Sequence, residues 1–148
     1  MEKLPLLVLA VAAGALIPVQ AGVNVLLRGR LSDPAQAAFV SFLVGTLCLL
    51  GWCLAQRLTW PSPGDLARTP PWLWIGGALG AFFVATTIYL GPRLGAATMT
   101  AFMLAGQLVA SVLLDHHGLL GFPEHAASPA RIAGVVLLGL GAWMIKSF

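Results

Sequence analysis

Charged positions divide the 148-residue chain into long apolar runs. No Asp, Glu, Lys or Arg occurs within 4–27, 34–56, 69–92 or 94–114. A fifth charge-free run, 132–145, is shorter and is bracketed by Arg131 and Lys146. A helix needs about 20 apolar residues to cross a hydrocarbon core about 30 Å thick. Four runs reach that length. In the fifth, both flanking cations can snorkel to the headgroups, so 128–148 also suffices. The pattern predicts an all-α integral membrane protein, one membrane domain over 1–148. Its five transmembrane helices lie near 4–27, 34–56, 69–92, 94–114 and 128–148. Strands of a membrane barrel would alternate in polarity over about ten residues, and these runs are continuous. Helix breakers fall in the gaps: Pro61, Ser62, Pro63 and Gly64, then Gly91 and Pro92, then Gly118, Gly121, Pro123 and Pro129.

Composition agrees and narrows the function classes. Hydrophobic residues make up 59% of the chain and charged residues 9%, against about 25% charged in an ordinary soluble domain. A soluble enzyme and a disordered chain are excluded. The net charge of +3 rests on eight Lys+Arg and five Asp+Glu, scattered without a basic stripe, so no nucleic-acid partner is expected. Trp52, Trp60, Trp72, Trp74, Tyr89 and Trp143 lie near span ends, as interfacial aromatic belts do. The first span also has the outline of a signal peptide: Lys3, an apolar stretch, then Val19-Gln20-Ala21 as a small-residue cleavage site. Glu2 weakens that reading.

Polar groups inside the spans are costly and each needs a reason. Pro18 removes a backbone bond in the first span, and Gly14, four residues earlier, leaves room for its ring. Gln20 and Asn24 follow on one helical face. Either they bond across helices or they line a pathway through a broken helix. In the fourth span Thr100, Gln107 and Ser111 share a narrow stripe. Small residues form stripes as well: Ala37, Ser41 and Gly45; Gly76 and Gly80, with Thr87 on the same face; Ala97, Ala101 and Ala105. These allow close helix approach in lipid. The residues assigned to a substrate pathway are Gln20, Asn24, Gln107, Ser41, Thr87 and Ser111. Gly14, Pro18, Gly45, Gly76 and Gly80 are assigned to the helix break and packing.

No acid, base or His lies deep in a span. A titrating group must therefore sit at a span end, and Asp115 and His116 are the candidates. Asp115 ends the fourth span and Arg93 precedes it, each with the sign that opposes the macrodipole. Arg93 of one copy and Asp115 of an inverted copy would pair, or Asp115 would take another basic partner. Asp115, His116, His117, Glu124 and His125 match no familiar zinc spacing, so no metal and no cofactor is expected. Cys48 and Cys53 diverge by about 140° at 100° per residue and read as packing residues, not a disulfide. No nucleophile–base set or paired embedded carboxylates suggests an enzyme.

With five spans the termini lie on opposite sides. Lys3, Arg57, Arg68 and Arg131 fall on one face and Arg28, Arg30, Arg93 and Lys146 on the other, four against four. Lys and Arg near span ends set orientation, so this chain encodes no preference. The tie predicts dual topology and an antiparallel homodimer of ten helices, the inverted arrangement common in secondary transporters.

Several segments resemble the YdcZ-type small members of the drug/metabolite transporter superfamily. They are Pro18-Val-Gln20-Ala-Gly-Val-Asn24, Ser41-Phe42-Leu-Val-Gly45-Thr46, Gly76-Gly77-Ala-Leu-Gly80-Ala-Phe-Phe-Val84 and Pro92-Arg93-Leu94-Gly95-Ala96-Ala97. The longest begins Gly106-Gln107-Leu-Val-Ala-Ser111 and continues through Asp115-His116 to Gly121. Together they touch the first four spans in order. The resemblance implies a five-helix protein of the bacterial inner membrane and a dual-topology homodimer, with relatives as opposite-orientation pairs or ten-helix fusions. It also implies a retained first helix, because Pro18 to Asn24 crosses the candidate cleavage site. Related small multidrug exporters use a glutamate in the first helix. This chain has none, which argues against proton-coupled cation export by that route. The expected function is a transporter, an exporter of a polar or amphiphilic solute by alternating access. A dual-topology channel and a non-transporting lipid-binding protein are the alternatives. The expected partners are an inverted copy, membrane lipids and the solute.

Overall fold

The computed structural model describes residues 3–148. Among these residues the chain forms six α-helices: α1 (Leu4–Arg28), α2 (Pro34–Ala55), α3 (Pro63–Arg68), α4 (Ile75–Leu94), α5 (Ala96–His116) and α6 (Pro129–Ser147). All except α3 are long and apolar enough to cross a membrane, α4 together with the 3-10 turn Pro71–Trp74 that leads into it. The five spans fall within a few residues of the expected bounds. Each follows from its continuous apolar run; α1, α4 and α5 stop at or just before Gly29, Gly95 and Gly118, α2 stops at Gln56-Arg57, and Pro92, expected to end the third span, lies inside the last turn of α4.

Local chemistry sets the helix starts. Asp33 caps α2 by accepting the Ala35 N–H at 2.7 Å, with Pro34 in the first turn. Ser128 caps α6 in the same way through the Arg131 N–H. The short α3 lies in what reads from the sequence as a breaker-rich loop. Its cause is a reciprocal capping box: Ser62 Oγ accepts the Asp65 N–H, and the Asp65 carboxylate accepts the Ser62 N–H and hydroxyl. The Ser62 hydroxyl, then the Ser62 backbone N–H, hold the Asp65 carboxyl below its ordinary pKa.

The chain divides into two compact units, 1–92 and 93–148. In the first, Ala37 and Ala38 of α2 pack with Val84 and Ile88 of α4, flanked by Leu27, Leu31, Phe83 and Ala85. Ala37 and Ile88 are wholly buried, at 0% exposure. Lipid tails are as apolar as these side chains, so close approach of small residues must replace the hydrophobic drive. The burial lies at the start of α2 and the end of α4. Farther along, Gly45 and Gly76 have open space where a Cβ would go. Gly80 is different, because an added Cβ would lie 3.4 Å from the Phe42 ring.

In the second unit α5 packs on α6. Met99 near the start of α5 and Ala142 near the end of α6 are buried, while Asp115 at the end of α5 pairs with Arg131 at the start of α6. The two helices are therefore antiparallel. Their connection reverses through Gly118, Leu120 and Gly121, all at positive φ. Gly95, which precedes α5, has φ +78°, a conformation open to glycine and strained for other residues.

Candidate functional site

The polar span residues fall into two environments. Asn24 on α1 is 3% exposed, and its Nδ2 has no hydrogen-bond partner. Gln20, one turn earlier, is exposed. Their shared face does not give them a shared environment, because α1 is buried only along its last turns, at Ala21 and Asn24. Thr87 is buried, and its hydroxyl donates to the Val84 carbonyl at 2.7 Å, so its own helix satisfies it. Ser41 is half-buried. In the second unit Gln107 and Ser111 are exposed on α5, and Thr100 carries a buried Oγ1 without a partner. Gln20, Asn24, Ser41 and Thr87 belong to the first unit and Gln107 and Ser111 to the second.

The expected helix break at Pro18 needs correction. The helix does not break at Pro18: α1 runs continuously through it. Proline removes one hydrogen bond, and the bonds on either side keep the helix intact. A Cβ added at Gly14 would meet nothing within 4 Å. Among the described residues, a Cβ added at Gly45 or Gly76 would likewise meet nothing within 4 Å. Among the described residues, Gly80 is the one of these four glycines whose added Cβ would come within 4 Å of another side chain, that of Phe42.

The span-end charges are organised by a loop clasp. Within the chain the Asp115 carboxylate pairs with Arg131, another basic partner of the kind the sequence left open. Asp115 at a helix C-terminus and Arg131 in a helix first turn each oppose their own macrodipole. An antiparallel hairpin brings these two unfavourable charges together, where they neutralise one another. Arg131 also donates to the His125 carbonyl at 2.8 Å, and the His125 N–H donates to the Asp115 carbonyl at 2.7 Å. His116 accepts the Ala127 N–H on Nδ1, so the neutral ring carries its proton on Nε2. The sequence reading missed Arg131 as the partner. Gly118 and Gly121 between the two residues were the available signal, because they permit the reversal.

Both side chains of the pair are partly exposed, so it contributes about 1 kcal/mol. Asp115→Asn should lower hydrogen-exchange protection at the His125 and Ala127 amides. Asp115→Arg with Arg131→Asp should recover it, because both charges then suit their helix ends. Equal protection in Asp115→Asn and the parent would show that the pair does not hold the loop.

An apolar groove of about 510 Å³ lies between α2 and α4, lined by Ala35, Ala38, Phe39, Phe42, Ala81, Phe82 and Ala85. It offers no polar anchor. The cysteines are free: Cys48 is exposed and Cys53 half-buried.

Comparison with known proteins follows the same outline. The family described as "Putative inner membrane exporter, YdcZ" matches residues 5–144. The chain is 32% identical over 142 residues to the inner membrane protein YdcZ of Escherichia coli (strain K12), covering 91% of this chain and 90% of that one. No solved structure matches.

Proposed function

Since this chain belongs to the YdcZ family of inner-membrane exporters, we propose that it exports a small polar or amphiphilic solute by alternating access, as an antiparallel, dual-topology homodimer. It is a multi-pass inner-membrane protein, and an exporter family fits a non-enzymatic role.

One observation carries the reading. Gln20 and Gln107 are exposed within apolar spans, and neither side chain has a hydrogen-bond partner among the described residues. An amide facing hydrocarbon unpaired costs several kcal/mol. Such groups call for a second copy or a solvated pathway. Neutral amides suit hydrogen bonding to a solute better than binding a strong cation. Asn24, with its buried unpartnered donor, supplies a third neutral contact, and Ser41, Thr87 and Ser111 further hydroxyls. The open positions at Gly45 and Gly76 are where an inverted copy would approach closely. The four-against-four division of basic residues supports insertion in both orientations.

The test is depletion of solutes from liposomes loaded with a bacterial small-molecule extract, read by mass spectrometry. The protein should deplete a subset. Gln107→Leu and Gln20→Leu should each slow depletion roughly tenfold, the equivalent of one hydrogen bond of about 1.4 kcal/mol. No depletion, or unchanged rates in both variants, refutes the reading. Unitary currents across a planar bilayer would assign the chain to the channels instead.

A further inference from the structure

We propose that the pocket at the α1–α2 turn binds the phosphate of an anionic membrane phospholipid. Val25, Arg28, Gly29, Leu31 and Ser32 from that turn, with Pro92 from the last turn of α4, line an open cleft of about 450 Å³. The pocket lies where the first span meets its loop, the level at which headgroups lie.

Its charge is unanswered within the chain. Arg28 is half-buried and has no ion pair or side-chain hydrogen bond among the described residues. Asp33, the nearest acid in sequence, is engaged as the α2 cap. The last carbonyls of α1 do not need the guanidinium, because the Gly29, Arg30 and Leu31 N–H groups already donate to Val25, Leu26, Leu27 and Arg28. Ser32 donates its backbone N–H to Gln36 Oε1, and its hydroxyl has no hydrogen-bond partner among the described residues. Arg30 adds an exposed cation to the same turn.

The walls decide the class of anion. Val25 and Leu31 are apolar, and Pro92 has no N–H to offer. A mainly polar cleft with a cation and a hydroxyl, edged by Val25 and Leu31 where the span enters the bilayer, matches the phosphate of a lipid whose acyl chains lie against the span. Basic pockets between spans hold lipid headgroups in this manner, with about 1 kcal/mol per basic residue. An arginine that only snorkels and complements the α1 dipole would show no headgroup preference.

Native mass spectrometry of the full-length protein in neutral detergent tests this. Phosphatidylglycerol and phosphatidylcholine of the same acyl chains are offered together. Phosphatidylglycerol should be retained in excess, and Arg28→Gln should cut that excess about fivefold, the equivalent of about 1 kcal/mol. Arg28→Lys should keep part of the preference. Arg57→Gln, in the second loop, should leave it intact. Circular dichroism confirms that each variant keeps its helix content. Millimolar inorganic phosphate should not displace the lipid, whereas short-chain phosphatidylglycerol should. Equal retention of the two lipids, an unchanged ratio in Arg28→Gln, or an equal drop in Arg57→Gln overturns the proposal. Displacement by inorganic phosphate would assign the pocket to a soluble anion and overturn it too.

Discussion

Under the dual-topology proposal, Glu124→Lys and Ala126→Lys together should make the chain insert in one orientation and abolish transport by that variant alone. The two lysines lie in the fourth loop, on the face that carries Lys3, Arg57, Arg68 and Arg131. They turn a tie of four against four into six against four. Orientation responds to Lys and Arg near span ends and little to acids, so a small bias at a balance point has an all-or-none effect. A second variant, Ser147→Lys with Phe148→Lys, biases the opposite face by the same amount. Each should be inactive alone, and co-expression of the two should restore transport. Labelling of single cysteines near both termini, from both sides of the membrane, reads the orientation. If the parent chain labels in one orientation only, the antiparallel dimer has no basis. If each fixed variant is fully active alone, the dimer is not the transporting unit.

The second large effect is on packing. Ala37→Leu should destabilise the first unit by about 1–3 kcal/mol, the usual cost of overfilling a packed site. Ala37 is wholly buried beside Val84 and Ile88, so a larger side chain must push α2 from α4. Gly45→Leu, two turns along the same small-residue stripe, should leave the isolated chain unaffected, since open space surrounds it. Unfolding in mixed detergent, followed by circular dichroism, compares the two. Equal sensitivity would show that the helices pack along the whole stripe. Under the dimer proposal Gly45→Leu has a separate signature: it should weaken association of two copies while leaving monomer stability unchanged.

These contrasts show what could be read from residues alone. The stripe at Ala37, Ser41 and Gly45 was legible as a close-packing surface, but not which part of it this chain uses. Gly14 and Pro18 suggested a broken helix, yet the neighbouring backbone bonds carry α1 through. The capping box at Ser62 and Asp65 produces a helix where Pro and Gly suggested only a loop. Asp115 was identifiable as a charge in need of a partner. Its partner was not, because Arg131 is sixteen residues away and the reversal between them depends on three positive-φ residues.

Hydropathy was enough for the five spans, their approximate ends and the balance of basic residues, since each span is decided by its own residues against the bilayer. Azimuth is a different kind of quantity. Whether Gln20 faces outward while Asn24 is buried, whether Gly80 meets Phe42, and whether Arg28 lines a pocket depend on where other helices approach. In lipid that approach is governed by short-range packing and hydrogen bonding, with no difference in polarity to announce it in the sequence.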